Sequence, residues 1–519
     1  MCGILYASQG VSRERFMKAL GLMRHRGPDG EPGYLERGSA KLGHNRLKVL
    51  DLDDRSAQPF FSRDGRYALI YNGEVYNYRE LASKHGITQR TSSDTEVIAE
   101  LYGLLGPRML CELNGMFAMV ILDTDTGSLF VARDRLGVKP LYWAKGGTGI
   151  VIASEIAPVV ELTGRTALDE FGLRQYRKLR AFFNGRTAYR GIETFPAGHY
   201  MLNGVMKRYW ELPEGPQPPP EDEELLGLIK SAVEIRRVSD VPAGAYLSGG
   251  LDSTLVTALS GLKDTWTVGF EEENEFEWAS LASKALGSDH AEVLVNVEEF
   301  VEMARVIIRE RMEPLSVPNE VLLYAMTREV KKKNTVVLSG EGADELFFGY
   351  DRIFRWAAAD RWDLREFSRL YSYGSVDDLE IVEDAISPYL CRGGAVDIVA
   401  AFFQSAHLHG LLRRLDSSTM LCSVEARVPF VDYRLVERMA GVPFEYRVEN
   451  GVAKAQLKRI ARGIVPGGII SRKKVGFPVP LGSIPFNSSK AATPMDAWLE
   501  FNLMEFTGAR EGELGRIAL

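Results

Sequence analysis

A run of prolines divides this chain and constrains its fold more than any other feature. Residues 212–224 read LPEGPQPPPEDEE, and four of the five residues from 216 to 220 are proline. Proline fixes φ and lacks an amide hydrogen, so the run favours an extended spacer. A surface loop within one domain is the alternative, but the residue patterns on the two sides differ. The sequence therefore predicts two domains, 1–212 and 221–519, joined by a Pro-rich linker at 213–220.

The part before the prolines predicts antiparallel sheet. Short alternating apolar runs are separated by Gly, Asn and Asp, and a charged turn, DTDTG, separates two of them. Alternation of this kind, broken by turn residues, is typical of hairpins. The runs lie at 67–71, 117–122, 129–132 and 150–153, and helical stretches lie at 12–23 and 95–105. We therefore expect an α+β domain in which helices and sheets form layers.

The part after the prolines predicts a parallel sheet. Leu225, Leu226, Ile229 and Val233 have helical spacing, and three β-rich runs follow, separated by helical stretches. The runs lie at 243–247, 265–270 and 335–338. Strands that alternate with helices indicate an α/β domain with a parallel sheet. From about residue 346 the pattern is mostly helical.

Composition excludes several function classes. The net charge of −7 lacks the basic footprint of most nucleic-acid-binding proteins. The four cysteines contain no C-x-x-C pair, so neither a disulfide framework nor a zinc knuckle is expected. The sequence has neither a signal-peptide pattern nor an apolar run of 18 residues. We expect a cytoplasmic protein with no nucleic-acid or membrane partner.

Cys2 is the first candidate catalytic residue. Removal of the initiator Met before a small residue would leave Cys2 with its own α-amine, which can serve as a base for the thiol. A second-position cysteine alone means little, but four motifs accompany it: RHRGPDG at 24–30, GHNRL at 43–47, YNGEVYN at 71–77 and SSDTE at 92–96. As a set these motifs favour a catalytic site.

These motifs contain the groups that an amide hydrolase for an amino acid needs. Arg46 can pair with an α-carboxylate, and Glu74 and Asp94 can hold an α-ammonium group. Asn72 and the Gly73 amide can donate to a developing oxyanion. Taken one at a time, each has an ordinary explanation, such as a turn for NGE or a helix capping box for SDTE.

MCGI, RHRGPDG, NGE-x-YN and SDTE resemble the glutaminase domain of class II glutamine amidotransferases of the asparagine synthetase type. The resemblance implies an N-terminal-nucleophile fold, an αββα sandwich. It also implies that Cys2 attacks the side-chain amide of glutamine, releases ammonia and leaves a glutamyl thioester for water to hydrolyse. Arg46 and its neighbours through Leu50 would line the glutamine pocket.

AYLSGGLDST, at 245–254, predicts a phosphate-binding loop between a strand and a helix. Its amides and the helix N-terminus can form an anion-binding nest, although no Walker A pattern is present. S-G-G-x-D-S resembles the pyrophosphate loop of enzymes that cleave ATP to AMP and pyrophosphate. Ser248, Gly249, Gly250 and Ser253 would then bind ATP, and Asp252 would bind Mg²⁺, which prefers a few carboxylates plus phosphates.

LSGEGADELFFGY, at 338–350, forms a second acidic, glycine-rich bend. A solvated loop is the alternative, but apolar residues flank the run. By resemblance to asparagine synthetases, Asp344 joins Asp252 at Mg²⁺, and Glu341 takes a proton from attacking ammonia. Lys454, in KAQLKR, would touch the phosphates as a compact point charge. Further ATP contacts implied by the resemblance are Leu247, Val268, Ser339 and Gly340.

VEARVPFVD, at 424–432, and RKKVGFPVP, at 472–480, also match the family, so the resemblance extends from residue 2 to about 480. Lys473 and Lys474 are either part of that site or ordinary surface lysines. The resemblance implies an ATP- and Mg²⁺-dependent ligase in which ammonia passes through an internal tunnel to an acyl-AMP. A homodimer is compatible with it, although no motif predicts one.

The carboxylate acceptor stays open at this point. Aspartate, converted to asparagine, is the first expectation. The segment EPLSVPNEVLLYAM, at 313–326, lacks the Thr- or Ser-rich form associated with aspartate, and Glu320 would repel an anionic acceptor unless paired. Glu320 is otherwise an acid that suits a helix N-terminus. The alternative acceptor is a uronic-acid sugar in polysaccharide biosynthesis or a natural-product intermediate.

Overall fold

The computed structural model describes residues 1–8, 10–146, 149–359, 361–472, 478–486 and 491–508. Lys473 and Lys474, two residues of the RKKVGFPVP motif, lie outside the described residues. Within the described part, the chain forms two antiparallel six-stranded sheets, then one parallel five-stranded sheet and a helical region.

Among its described residues, the N-terminal half contains twelve strands and five α-helices. The strands are β1 (Gly3–Ser8), β2 (Asp29–Arg37), β3 (Ala40–Arg46), β4 (Phe60–Phe61), β5 (Tyr67–Val75), β6 (Gly115–Asp123), β7 (Leu129–Arg133), β8 (Tyr142–Gly146), β9 (Gly149–Ala153), β10 (Glu193–Thr194), β11 (His199–Leu202) and β12 (Val205–Arg208). The helices are α1 (Arg13–Gly21), α2 (Tyr78–Lys84), α3 (Asp94–Leu105), α4 (Ile156–Thr163) and α5 (Glu170–Leu179).

These elements build the αββα sandwich that the sequence predicted. One sheet has the order β10-β8-β9-β1-β3-β2 and the other the order β12-β11-β7-β6-β5-β4. Ile4, Ile70 and Val120 are fully buried between the sheets. Helices α1 and α4 cover one outer face, and α2 and α3 cover the other.

The alternation of residues along β5 lets this strand pack against the other sheet on one face and against the helices on the other. Ala68 and Ile70 point between the sheets, while Leu69 and Tyr71 point toward the helices on the outer face, as the two-residue period of a strand requires. The predicted runs fall within β5, β6, β7 and β9, and the predicted helices correspond to α1 and α3. Ser12 caps α1 by accepting a hydrogen bond from the Arg15 amide.

The proline-rich segment has no regular secondary structure, but it is fixed to the C-terminal half. The Gln217 amide donates to the Gly441 carbonyl at 2.9 Å. Arg438 Nη1 donates to the Pro218 carbonyl, and the Tyr446 hydroxyl to the Pro220 carbonyl, each at 2.8 Å. These three hydrogen bonds hold the segment against the C-terminal half.

The C-terminal half contains seven strands and sixteen helices among the described residues. The strands are β13 (Ala243–Tyr246), β14 (Asp264–Gly269), β15 (Asp289–Leu294), β16 (Val336–Leu338), β17 (Glu425–Arg427), β18 (Val448–Glu449) and β19 (Val452–Ala453). The helices are α6 (Asp222–Ile235), α7 (Leu251–Ser260), α8 (Phe276–Leu286), α9 (Val297–Arg311), α10 (Asn319–Val330), α11 (Ala343–Leu346), α12 (Asp351–Ala359), α13 (Leu364–Tyr371), α14 (Leu379–Ile386), α15 (Ala395–Phe402), α16 (Leu408–Met420), α17 (Tyr433–Met439), α18 (Phe444–Arg447), α19 (Ala455–Ile460), α20 (Gly467–Ser471) and α21 (Pro494–Thr507).

The main sheet of this half is parallel throughout, with the order β15-β14-β13-β16-β17. The α/β prediction with a helical C-terminal part is therefore confirmed. Strands β13 and β16 are neighbours, so the two glycine-rich loops that follow them lie at the same edge of the sheet. Ligands of open α/β sheets bind at this carboxyl edge.

Helices α15 and α16 run on through a wider π-helical turn at Phe403–His407. Together they span Ala395–Met420, 26 residues, and by length and composition alone this helix could cross a membrane. Half of its most apolar stretch is buried inside the protein. Packing of this kind is what a core helix of a globular domain shows, and such a helix passes the same compositional test.

Candidate active sites

Cys2 lies at the start of β1, at the end of the sandwich where the two sheets meet. Its side chain is almost fully buried, and its amide donates to Asn72 Oδ1 at 2.9 Å. Its carbonyl accepts from Arg26 Nε at 3.1 Å. Burial raises the pKa of the Cys2 thiol, while the nearby terminal ammonium, the Leu47 amide and Arg46 act in the opposite direction.

Asn72, on β5, provides a hydrogen-bond donor beside Cys2. The residue is fully buried, and its Nδ2 atom has no hydrogen-bond partner among the described residues. A buried amide of this kind costs free energy unless a ligand accepts from it. The next residue, Gly73, is required by packing, because a Cβ there would lie 2.1 Å from the Met116 carbonyl oxygen on β6. The structure therefore brings Cys2, Asn72 and Gly73 together.

Arg46 ends β3 and holds the loop that follows it. Its Nη1 donates to the Asp53 carbonyl at 2.7 Å, and its Nη2 donates to the Leu50 carbonyl at 3.5 Å and to the Asp51 carbonyl. Leu50 is thus placed next to Arg46, as predicted for a shared pocket. The contacts show a structural role for Arg46 in shaping this loop.

Asp94 begins α3 and lies under β5. It is almost fully buried, and its Oδ2 accepts from the Tyr71 hydroxyl and the Val75 amide, each at 2.9 Å. Burial raises its pKa despite these two donors. Ser93 caps α3 by accepting from the Thr95 amide, but the capping box expected from SDTE does not form, because Glu96 accepts from the Arg90 and Thr91 amides instead.

Glu74 places a second carboxylate in this region. Its Oε1 lies 3.6 Å from Arg427 Nη2 of the C-terminal half. Burial, then Glu425 and Asp94, raise the pKa of Glu74 well above its usual range. Burial and neighbouring carboxylates thus raise the pKa of both Glu74 and Asp94, and an added cation would be favourable beside them.

The SGG loop joins β13 to α7 and holds its shape through internal bonds. Gly249 has φ +70°, and a Cβ there would lie 2.3 Å from the Trp278 carbonyl carbon. Ser248 Oγ accepts from the Gly250 amide at 3.3 Å and lies 3.1 Å from Ser253 Oγ. The loop opens the ten-residue helix α7, so its amides and the helix terminus favour an anion.

Asp252 and Asp344 face each other across Lys454. The Lys454 ammonium lies 2.5 Å from Asp252 Oδ2 and 2.7 Å from Asp344 Oδ1. Burial acts against the Lys454 charge, but the two carboxylates outweigh it and raise its pKa. Gly349 packs against this group so closely that a Cβ would lie 1.8 Å from Asp344 Oδ1.

Two carboxylates beside a phosphate loop fit Mg²⁺, which uses one or two protein carboxylates plus phosphates and water. No group of three or more His, Cys, Asp or Glu residues that could hold a metal occurs in the part of the chain that the structure describes. The donor set therefore suits a metal that arrives with the nucleotide.

A cavity of about 640 Å³ opens over this edge of the sheet. Its walls include ten of the predicted residues: Leu247, Ser248, Gly250, Asp252, Ser253, Ser339, Gly340, Glu341, Asp344 and Lys454. Gly249 and Val268 lie beside the cavity, while Trp266 and Thr267 line it from β14. The structure therefore brings most of the predicted ATP-site residues together at one cavity, and on β14 the residues that line it are Trp266 and Thr267.

Glu341 has a partner that the sequence did not reveal. Arg414, on α16, donates from Nη2 to Glu341 Oε1 at 2.8 Å and from Nη1 to Asn319 Oδ1 at 3.2 Å. All three residues line the cavity. An arginine on a long amphipathic helix resembles a surface residue in sequence, so no local signal marked Arg414.

Glu320 is paired within the protein and does not line the cavity. It is fully buried, and its Oε1 accepts from the Ser316 and Val317 amides at 2.6 and 3.1 Å. Its other oxygen pairs with Arg311. The helix-terminus interpretation of Glu320 is right, and the expected repulsion of an anionic acceptor does not arise.

Buried charges join the two halves between the sites. Arg26 pairs with Asp416 at 2.9 Å, and Lys139 lies 3.4 Å from the same residue. The ammonium group of Met1 lies 3.1 Å from Glu425 Oε2, and Glu425 Oε1 accepts from Arg427 Nε at 2.6 Å. Glu425 and Arg427 belong to the VEARVPFVD motif, which therefore faces the Cys2 site.

The chain matches two family sequence models. The model described as Glutamine amidotransferase domain matches residues 1–210, and the model described as Asparagine synthase matches residues 224–500. The second match alone covers more than half of the chain.

Similar curated proteins span both halves. Asparagine synthetase [glutamine-hydrolyzing] 1 of Bacillus subtilis is 29% identical over 561 residues, covering 93% of this chain and 87% of that protein. A putative asparagine synthetase [glutamine-hydrolyzing] of Mycobacterium tuberculosis is 32% identical over 549 residues, covering 89% and 84%. Asparagine synthetase B of Escherichia coli is 28% identical over 498 residues, covering 90% and 79%.

Proposed function

The chain belongs to the family of glutamine-hydrolysing asparagine synthetases, and from this premise we propose that it converts aspartate to asparagine with glutamine as the nitrogen donor and ATP as the activating substrate. The observation that carries the proposal is the 640 Å³ cavity in which the SGG loop, the Asp252 and Asp344 pair and Glu341 converge. We assign glutamine hydrolysis to residues 1–212 and amide synthesis to residues 221–519, with 213–220 as the linker.

In the first half-reaction, the Cys2 thiol attacks the side-chain amide carbon of glutamine. Asn72 Nδ2 and the Gly73 amide donate to the oxyanion, and the carbon–nitrogen bond then breaks to release ammonia. Water hydrolyses the remaining thioester to glutamate. Burial favours the neutral thiol, so its proton must first pass to a base, the α-amine that Cys2 gains on removal of Met1, which then gives the proton to the leaving nitrogen.

The glutamine main-chain groups have matching charges nearby. Arg46 and the Leu50 loop suit the α-carboxylate, and the buried Glu74 and Asp94 suit the α-ammonium group. The raised pKa of both carboxylates supports this assignment, because a bound cation would lower them again.

In the second half-reaction, the amides of Ser248, Gly249 and Gly250, with Ser253, hold the ATP phosphates. An oxygen of the aspartate β-carboxylate attacks the α-phosphorus, and pyrophosphate leaves. Mg²⁺ held by Asp252 and Asp344 would neutralise charge on the phosphate oxygens. Lys454 supplies a fixed positive charge between the same two carboxylates.

Ammonia then attacks the acyl carbon and AMP leaves. Glu341 is the base that we assign to the proton lost by the attacking nitrogen, with Arg414 holding the carboxylate at 2.8 Å. Ammonia free in water is mostly ammonium, so internal transfer from Cys2 keeps it reactive. The buried contacts between the halves support a route through the protein interior.

We further propose that the enzyme works in the cytoplasm on small molecules, without nucleic acid, and that a homodimer is compatible with these sites. None of the proposed steps needs a second subunit.

Pyrophosphate release tests the proposal. The wild type with ATP, Mg²⁺ and glutamine should release pyrophosphate and form asparagine only when aspartate is present. Cys2→Ala should lose the glutamine-dependent reaction and keep the ammonia-dependent one. Release with a uronic-acid nucleotide sugar and none with aspartate would show that the acceptor is wrong.

A further inference from the structure

Arg180 has an unusual backbone position. It directly follows α5 (Glu170–Leu179) and caps that helix with φ +63°, in the left-handed region. This position is usually glycine, because a side chain makes the conformation unfavourable. A large charged residue there is tolerated only if the surrounding structure supports it, and such residues concentrate at functional sites.

Arg180 lines the cavity of the C-terminal half, although it belongs to the N-terminal half. Arg180 lines the 640 Å³ cavity together with its neighbours Leu179 and Ala181. Its Nε is buried and has no hydrogen-bond partner, and no ion pair to its guanidinium occurs among the described residues. Its guanidinium lies over the ring of Tyr373, and Cζ is 3.9 Å from the ring centroid.

Arg180 lies near Arg414, which holds Glu341, and therefore on the side of the cavity where we place the acceptor. The charged and titratable groups that affect it are Tyr371, Tyr373, Tyr350 and Arg414, and Arg414 holds Glu341. The carboxylates that face the phosphate loop pair with Lys454 instead.

The positively charged side chains that line this cavity differ in their charged neighbours. Arg414 is neutralised by Glu341, and Arg472 pairs with Glu275. Lys458 lies near Lys454 and Asp252, at the phosphate end. Burial lowers the pKa of Arg180, as expected for a buried cation whose surroundings lack an anion. An incoming anion would supply the missing charge at the acceptor end.

We propose that Arg180 of the glutaminase half binds a second anionic group of the acceptor, the α-carboxylate when the β-carboxylate of aspartate is adenylated. This inference rests on the proposed function and names a specificity residue for it. The planar fork of arginine matches a carboxylate in two-point contact, and stacking on Tyr373 fixes the plane of that fork. In this proposal, residues of both halves of the protein contact the acceptor.

The chemistry explains why a second cation is needed. Adenylation removes the charge of the reacting carboxylate, while the α-carboxylate keeps its charge throughout the reaction. A desolvated anion requires a permanent partner, and arginine stays protonated over the working pH range. A carboxylate acceptor without a second anion leaves Arg180 unpaired and should bind poorly.

The test is steady-state pyrophosphate release by the full-length enzyme with ammonia as nitrogen donor. Aspartate is compared with succinate, which keeps both carboxylates, and with β-alanine, which lacks the α-carboxylate of aspartate. In Arg180→Gln we expect the KM for aspartate and succinate to rise by roughly tenfold or more, with the kcat/KM for β-alanine unchanged. The KM for ATP and the glutaminase rate should stay as in the wild type, and Arg180→Lys should restore part of the loss.

Arg177→Gln is the matched control, since Arg177 lies on the same helix and does not line the cavity. An unchanged aspartate KM in Arg180→Gln would overturn the inference. An equal loss for aspartate and β-alanine would also overturn it, because it would indicate a structural effect.

The wild type separates this inference from the proposed function. If aspartate is inactive but a uronic-acid nucleotide sugar, whose diphosphate is the second anion, reacts in an Arg180-dependent way, the acceptor assignment fails and the inference stands. If β-alanine matches or exceeds aspartate in the wild type, the inference fails and the amide-forming chemistry stands.

Discussion

Two buried donors without hydrogen-bond partners lie at proposed binding positions of this protein. Asn72 Nδ2 is buried beside Cys2, and Arg180 Nε is buried at the cavity, and neither has a hydrogen-bond partner among the described residues. Burial of an unsatisfied donor costs about 1–3 kcal/mol, so a folded protein keeps one where a ligand compensates for it. The sequence revealed the first through its motif and gave no sign of the second.

Replacement of Asn72 by Asp tests the oxyanion role. The acceptor for the Cys2 amide is kept, but the donor is replaced by an oxygen that repels the oxyanion. We expect the glutaminase kcat to fall by about 10²–10³-fold, while ammonia-dependent pyrophosphate release is unchanged. Glutamate release from glutamine measures the first rate, and a wild-type value there would refute the assignment.

Gly349 tests the packing around the two carboxylates. In Gly349→Ala the new Cβ would overlap Asp344 Oδ1 and lie 2.6 Å from Lys454 Cε, so the group must shift. We expect aspartate-dependent pyrophosphate release to be lost and glutamate release to persist. Gly227→Ala is the control, because that site on α6 is open and alanine favours a helix by up to about 1 kcal/mol. Equal activity in both variants would contradict the predicted crowding.

At the scale of elements, helix α16 contacts residues of both halves of the protein. Arg414 meets Glu341 in the cavity, Asp416 meets Arg26 of the glutaminase half, and His409 Nε2 accepts from Arg133 at 2.7 Å. Burial, with Arg133 and Arg413 nearby, lowers the pKa of His409 well below its usual value, as an acceptor role requires.

Asp416→Ala should destabilise the protein strongly. The change leaves Arg26 and Lys139 buried without this carboxylate, and breaking a buried ion pair costs about 3–5 kcal/mol. Urea unfolding measures the loss. The control is Glu302→Ala, which removes an exposed pair with Arg305 worth at most about 1 kcal/mol. Similar losses in the two variants would mean that the buried pair contributes nothing special.

Elements whose sequence has a clear hydrophobic period were predictable, whereas elements that depend on contacts with distant residues were not. Strand β5 alternates between two cores and was found, whereas β1 is apolar on both faces and shows no alternation. Strand β15 is an exposed edge strand with the polar sequence DHAEVL, which resembles a loop. Within the proposed sites, motifs predicted Cys2 and Asp252, whereas Arg180 and Arg414 have contacts that no local sequence pattern encodes.

At the scale of the whole molecule, the two halves share one buried charged interface. Arg427 reaches from β17 to Glu74 on β5, and Arg26 reaches from the glutaminase half to Asp416. The VEARVPFVD motif was recognised from sequence without a role, because the residue that gives Arg427 its role lies in the other domain. The proposed ammonia transfer depends on this rigid contact.

Acid should destabilise the protein through Glu155, which pairs with His25 and with Arg26, the arginine that also contacts Asp416 of the other half. Burial raises its pKa, but the two cations outweigh burial and lower it to about 2 from 4.5. A lowered pKa gives stability that is present above about pH 4.5 and lost as the pH falls toward 2. Wild-type protein should therefore be more stable than Glu155→Gln at pH 6, and the difference should disappear near pH 2. The measurement is the urea unfolding midpoint of each protein between pH 6 and pH 2. A difference in midpoint that stays constant with pH would show that Glu155 acts through packing alone.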